Sequence, residues 1–375
     1  MKKILTSVIF LSAALSLYAA DTVSYKVRQL ENWAFYGTQY PTVQMVASND
    51  RGVFKKLDLK CEILDYNGRS LYELVQLGTL NPKDSLDMAF SFKTLKPGFY
   101  NALFWSEGRI VNSVNISYEP EKIISTEHFI DSLPVSDRDF ARVIKEAEKE
   151  KGMLSRQFSV IKNKRMSGKE KNVYDFKMVS RGGKVIKGYV AVPRSGKNFP
   201  AMITYVPLEG RSENPLADFT ARADMLEMVL YMGDRGEGEE YFWNTTVDIS
   251  LAIEYIFQRK DVDPFKVYTQ GDRIGAAFST ISSAIDNRIK VSFGTTPDFS
   301  RFIGYFSPES LAKNVTAPLL FGIGLQDKAI RLQEDFAVYN NIKSIKEYFI
   351  FPAGENVERN KWKYIRDTFL LRLAE

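Results

Sequence analysis

Apolar and polar positions follow two different rhythms along the chain. From about Tyr25 to Ile124 the apolar residues fall in short alternating runs: Val43-Gln44-Met45-Val46, Leu57 to Leu64, and Met88-Ala89-Phe90-Ser91-Phe92. Turn-forming clusters separate them, namely Asn49-Asp50-Arg51-Gly52, Asn67-Gly68 and Lys96-Pro97-Gly98. A period of two sends successive side chains to opposite faces of a strand. Short strands at this spacing predict an all-β sandwich.

The segment Leu95-Lys96-Pro97-Gly98-Phe99-Tyr100, followed by Leu103-Phe104-Trp105, predicts a turn into a late strand of an immunoglobulin-like sandwich. Trp33 and Trp105 admit two readings, a sugar-stacking surface or packing in the sandwich core or edge. Ser136 to Lys151 is charged and helical in pattern, with Asp137 as a candidate N-cap, and reads as a bridge between domains.

Beyond the bridge the rhythm changes to strand and helix in turn. Strands are expected at Lys184–Val192, Ala201–Val206, Leu226–Met232, Lys266–Thr269, Ile289–Gly294, Leu319–Ile323 and Glu347–Phe351. Helices are expected at Thr246–Gln258, Ala276–Ala284, Phe336–Ile342 and Trp362–Leu373. Such alternation gives a mostly parallel sheet covered by helices on both faces.

Residues 1–20 have the layout of a secretory signal: Lys2 and Lys3, an apolar run from Ile4 to Leu17, then Ala19-Ala20. The run is short for a membrane span and no later segment approaches one. The expected location is periplasmic or secreted. The layout is a signal peptide at 1–20, a sandwich at 21–125, a helical linker at 126–160 and an α/β domain at 161–375.

Composition narrows the chemistry. A net charge of +5 with the basic residues scattered among nearly as many acids argues against nucleic acid as the main partner. The densest basic run, Lys162 to Lys171, reads as a solvated loop or as an anion patch. One cysteine, Cys61, and one histidine, His128, make a zinc site improbable, and no phosphate- or dinucleotide-binding glycine pattern is present. No cofactor or metal is expected.

The pentapeptide Gly271-Asp272-Arg273-Ile274-Gly275 stands between the expected strand Lys266–Thr269 and the helix from Ala276. It has the form of a G-x-S-x-G nucleophile elbow with arginine in the serine position. A chance turn with two glycines four apart is the other reading. Arginine stays protonated and offers no lone pair to a carbonyl. His128, the single histidine, lies well before this segment, so a serine-type triad has no imidazole to use.

With these residues in view, the chain resembles the acetyl xylan esterase and cephalosporin-C deacetylase family of α/β-hydrolases, over roughly Asp137 to Glu375. Pro200 to Gly210 resembles the family's strand and oxyanion loop, and Asp234-Arg235-Gly236-Glu237-Gly238 its Arg-Gly-x-Gly segment. Val262-Asp263-Pro264 leads into the elbow strand. Ile323-Gly324-Leu325-Gln326-Asp327 is similar to the motif carrying the triad acid, and Phe336, Tyr339 and Asn340 fit the helix after it. Phe351-Pro352-Ala353-Gly354-Glu355 is similar to the segment that ends in Gly-His-Glu. The resemblance therefore implies an α/β-hydrolase fold preceded by an immunoglobulin-like module.

It also implies which positions bear on catalysis. Arg273 takes the nucleophile position, Asp327 the acid, Glu355 the base and Leu208 the oxyanion loop. Of these only Asp327 keeps its type. Val206-Pro207-Leu208-Glu209-Gly210 replaces the family's His-Gly-Tyr-x-Gly, and Pro207 carries no N–H. Loss of nucleophile or base alone costs on the order of 10⁶-fold in turnover in a serine hydrolase. The cleft candidates are Arg235, Arg273, Asp327 and Glu355, with the carboxylates expected to neutralise Arg273.

Three functions remain open at this point. The chain is a catalytically inactive relative that binds a glycan, an acetylated sugar or a protein. Or it is an esterase using Asp327 and Glu355 as a carboxylate pair. Or it is a structural subunit of a homo-oligomer or of an assembly with an active esterase.

Overall fold

The computed structural model describes residues 23–28, 33–37, 40–50, 52–93, 95–123, 142, 144–149, 158–208, 214–220, 222–233, 238–300, 302, 308–327, 332–351 and 357–374. The chain divides into two compact units, Met1–Glu119 and Pro120–Glu375. The expected signal segment, His128 and most of the expected linker lie outside the described residues; 144–149 within that linker are helical.

Among its described residues the first unit holds eight strands: β1 (Ser24–Val27), β2 (Ala34–Phe35), β3 (Thr42–Asn49), β4 (Lys55–Leu64), β5 (Ser70–Leu80), β6 (Asp84–Ser91), β7 (Gly98–Ser106) and β8 (Arg109–Tyr118). They form a three-stranded sheet, β1-β3-β6, and a five-stranded sheet, β2-β8-β7-β4-β5, antiparallel except for the β2–β8 pair. Strict alternation buries Val43, Met45 and Ala47 on β3 and Leu59, Cys61 and Ile63 on β4. Phe90 and Phe104 meet edge to face at 5.8 Å and join the two sheets. Trp33 is 3 % exposed, so it is a core residue and not a sugar platform. Trp105 is half-buried, with the Lys60 ammonium 5.1 Å above its ring.

The second unit is a nine-stranded sheet in the order β17-β16-β15-β14-β12-β13-β11-β10-β9. Its strands are β9 (Phe158–Lys162), β10 (Lys171–Val179), β11 (Val185–Pro193), β12 (Phe199–Pro207), β13 (Leu226–Met232), β14 (Val262–Asp272), β15 (Val291–Thr295), β16 (Leu319–Gly324) and β17 (Lys346–Phe351). The six strands from β13 to β17 across β12 and β14 pair in parallel, while β9, β10 and β11 make antiparallel pairs at one edge. The run from Lys162, the last residue of β9, to Lys171, the first of β10, is the turn joining them, with Lys164, Arg165, Lys169 and Glu170 all exposed, as in a solvated loop.

Among the described residues the sheet is accompanied by helices α1 (Gly238–Phe257), α2 (Ile274–Ile285), α3 (Pro308–Asn314), α4 (Leu332–Asn341) and α5 (Arg359–Ala374). Helix α1 starts well before the expected Thr246. Its early turns bury Asn244, Thr245 and Thr246 alongside Tyr241 and Phe242, and polar residues in a buried face hide the helical period from sequence. The two central faces of the sheet are covered differently. Against one lies α2, whose Ser279 shares hydroxyl hydrogen bonds with Thr269, at 2.8 Å, and whose Ser282 donates to the Tyr205 hydroxyl at 2.9 Å. Against the other lies α5, which packs Phe369 onto Met202, Val291, Phe293 and Leu320. No helix among the described residues is long and apolar enough to cross a membrane.

Candidate functional site

The turn between β14 and α2 is a built elbow, not a chance pair of glycines. A β-carbon on Gly271 would stand 2.1 Å from the Gly275 backbone, and one on Gly275 would stand 2.3 Å from the Tyr205 carbonyl oxygen. Neither neighbour is a flexible side chain, so only glycine lets strand, turn and helix approach this closely. Between them Arg273 adopts φ 52° and ψ −122°. For a residue with a side chain this backbone is strained by on the order of 1–3 kcal/mol. Hydrogen bonds hold it: the Arg273 N–H donates to the Thr295 carbonyl at 2.9 Å, and its carbonyl accepts from Ala276 at 2.9 Å and Asp298 at 3.2 Å.

The strained turn lifts the Arg273 side chain above the carboxyl edge of the sheet. Asp327 arrives from the end of β16, where its N–H bonds to the Gly324 carbonyl at 3.2 Å. The Arg273 Nη2 lies 2.6 Å from Asp327 Oδ2. Burial is unequal: the Asp327 side chain is 3 % exposed and that of Arg273 37 %. The carboxylate is thus the member that depends on its partner, since the guanidinium keeps much of its water.

Period two along β14 turns Asp272, Gln270 and Tyr268 toward the α5 face. Asp272 Oδ1 accepts from the Thr295 hydroxyl at 2.6 Å. Burial raises the Asp272 pKa; the Thr295 bond and the Arg273 charge oppose that rise, and the Asp327 charge adds to it. Below it, Gln270 donates to the Thr204 hydroxyl at 2.9 Å and accepts from Arg366 at 2.9 Å. Arg366, on α5, is 5 % exposed and also pairs with Asp367 at 3.2 Å.

These groups floor a cleft of about 770 Å³, a volume in the range of small-molecule sites. Thr204, Gln270, Asp272 and Thr295 form its base, and Arg273 and Ile274 stand at its elbow end. One wall is the stretch Ala217–Thr220, fixed from behind by Glu227, whose carboxylate accepts from the Thr220 N–H at 2.9 Å and from Lys171 at 3.0 Å. The other wall is α5, with Arg359, Trp362 and Lys363. Trp362 sits against Gly322, where a β-carbon would come within 2.9 Å of its ring.

Of the positions named from sequence, the structure brings Arg273 and Asp327 together. Arg273 lines the cleft, and Asp327 lies behind it. Leu208 is 51 % exposed, at the end of β12 next to Pro207. Arg235 and Glu355 lie outside the described residues. Sequence reasoning missed Asp272, Gln270 and the α5 residues Arg359, Trp362, Lys363 and Arg366. A signal was available: Asp272 is inside the pentapeptide, and Arg359, Trp362, Lys363 and Arg366 recur at three- and four-residue steps on one helix face. Among the described residues no group of three or more His, Cys, Asp or Glu side chains is placed to hold a metal ion.

Strand order, elbow and the acid after β16 together define an α/β-hydrolase fold. Residues 298–371 match the acetyl xylan esterase (AXE1) family model, a span that carries Asp327 and most of α5 and does not include the elbow. Two acetyl xylan esterases share the fold. That of Paenibacillus sp. R4 is 16 % identical with a TM-score of 0.57, covering 67 % of this chain and 97 % of its own. Acetyl xylan esterase 1 of Thermoanaerobacterium sp. JW/SL YS485 is 17 % identical with a TM-score of 0.56, covering 66 % of this chain and 96 % of its own. No curated protein sequence matches the chain.

Proposed function

We propose that this chain is an exported, catalytically inactive relative of the acetyl xylan esterases that binds a carbohydrate in the cleft beside its elbow. One observation carries the reading: a complete, strained elbow presents an arginine, tied to Asp327 at 2.6 Å, where a hydrolase presents its nucleophile. A guanidinium cannot attack an ester, and Asp327 is engaged in neutralising it. Keeping a strained turn without its nucleophile makes sense when the turn shapes a site. The hydroxyl, amide and carboxyl groups on the cleft base suit the alternating donors and acceptors of a sugar. The layout of residues 1–20 supports export to the periplasm or beyond.

Isothermal titration of the mature protein with acetylated and deacetylated xylo-oligosaccharides and with uronic oligosaccharides tests this. Saturable binding of any of them without acetyl release supports the reading. Absence of binding to every saccharide, with a protein that co-purifies, overturns it in favour of a structural subunit. Acetyl release that disappears in Asp327→Asn overturns it in favour of carboxylate catalysis.

A further inference from the structure

Charges around the cleft are not evenly answered. Arg273 has Asp327 at 2.6 Å, and the buried Arg366 has Asp367 at 3.2 Å. Of the acids that face the cleft, Asp218 accepts from the Tyr231 hydroxyl at 2.9 Å, Asp298 accepts from the Ser300 N–H at 3.0 Å, and Asp272 accepts from Thr295 at 2.6 Å. Arg359 and Lys363 are different. Both are exposed, both line the cleft, and neither forms an ion pair among the described residues. Together with Arg366 they put three cations on one wall, at positions 359, 363 and 366 of a single helix.

That wall departs from what helix stability alone would select. The first turn of α5 carries no acid, although acids are favoured there. Arg359 and Lys361 instead occupy that turn, against the helix dipole, with Glu358 the nearest acid just ahead of it and Lys363 one turn on, so helix stability does not account for the cations on the cleft side.

We infer that the cleft takes an acidic saccharide, whose carboxylate is held by Arg359 and Lys363 with Arg366 behind them, and whose hydroxyls meet Thr204, Gln270 and Thr295. This rests on the glycan-binding reading above and assigns its ligand class. Arginine and lysine at a rim favour a carboxylate by charge-assisted hydrogen bonds, and an arginine fork engages both of its oxygens. A lone inorganic anion would leave most of the volume and the polar base unused. Trp362, half-buried at the wall, offers an apolar surface for a sugar ring.

Titration of the full mature chain with trigalacturonic acid, its methyl-esterified neutral counterpart and inorganic phosphate tests the inference. The acid form should bind at least about tenfold more tightly than the ester, a difference within reach of one charge-assisted contact. Arg359→Ala with Lys363→Ala, both exposed and outside the hydrogen-bonded core, should lose about tenfold toward the acid form and clearly less toward the ester, so that the preference for the acid form collapses. Added salt should weaken only the acid form. Equal affinity for the two saccharides, an unaffected double variant, or phosphate binding as tight as trigalacturonate each overturns the inference. If both saccharides bind alike, only the ligand class is wrong. If neither these nor the neutral xylo-oligosaccharides bind, the glycan-binding reading falls with it.

Discussion

The two faces of the central sheet carry similar polar residues and use them in opposite ways. On the α2 face, Thr269 lies 2.8 Å from Ser279 Oγ and 3.0 Å from Ser292 Oγ, and all three residues are fully buried. Their hydroxyls satisfy one another and leave no room for anything else. On the α5 face, one residue along the same strand, Gln270 bonds to Thr204 and Arg366, and all three border the cleft. Polar groups in a covered sheet are therefore glue where helix meets strand directly and a site where the covering is incomplete. Residue type alone does not distinguish the two cases.

The largest effect is expected where both faces depend on one contact. Gly275→Ala drives a β-carbon to within 2.3 Å of the Tyr205 carbonyl oxygen in β12. Backbone cannot yield as a side chain can, so a loss of more than about 4 kcal/mol in unfolding free energy is expected. Chemical denaturation checks this, and a variant within about 1 kcal/mol of the parent would show that the elbow is looser than described.

Next comes the Arg273–Asp327 pair. Arg273→Ala leaves a buried carboxylate without its cation and should cost about 1–3 kcal/mol, less than the roughly 3–5 kcal/mol of a fully buried pair because the guanidinium is partly solvated. Asp327→Asn leaves an arginine that water can reach and should cost less. The double variant should be more stable than Arg273→Ala alone, and equal or additive losses in a double-mutant cycle would contradict the coupling.

Thr269→Val sharpens the contrast between faces. It removes a hydroxyl from the α2 network and should cost about 1–3 kcal/mol while leaving cleft binding unchanged. A loss of saccharide affinity in that variant, measured at a temperature where it is folded, would show that the faces are not independent.

The smallest effect is one of pH. Burial raises the Asp272 pKa above its unfolded value, so the fold prefers the protonated carboxyl. The associated stability is fully present below the unfolded aspartate value of about 3.9 and is lost as pH rises through the higher folded value. Asp272→Asn does not titrate. Its midpoint temperature relative to the parent should be higher at pH 7 than at pH 4, where the difference should shrink. A difference independent of pH would contradict the assignment.

How much of this was legible in sequence depends on how local the signal is. The elbow was legible because two glycines four residues apart, a preceding strand and a following helix lie within one short stretch. The ion pair followed from the resemblance of the segment around Asp327. The cleft was not legible, because its base is assembled by strand register. Gln270 meets Thr204 across 66 residues of sequence and Arg366 across 96. Nothing in the neighbourhood of any one of these residues announces the others. Helix α1 was read too short for a related reason, since its buried Asn244, Thr245 and Thr246 break the apolar period.

Acetyl release from acetylated xylo-oligosaccharides, measured on the protein and on Arg273→Ser, tests the central claim most directly. The unmodified protein should release acetate at the buffer rate, because a guanidinium occupies the elbow. Arg273→Ser should do the same, because a hydroxyl without a base to activate it remains a poor nucleophile. Arg273→Ser combined with Glu355→His should show a trace at most, because Pro207, at the end of β12, has no N–H to offer an oxyanion and the Leu208 side chain has no donor. Acetate release by the unmodified protein well above the buffer rate, abolished by Asp327→Asn, would contradict the account.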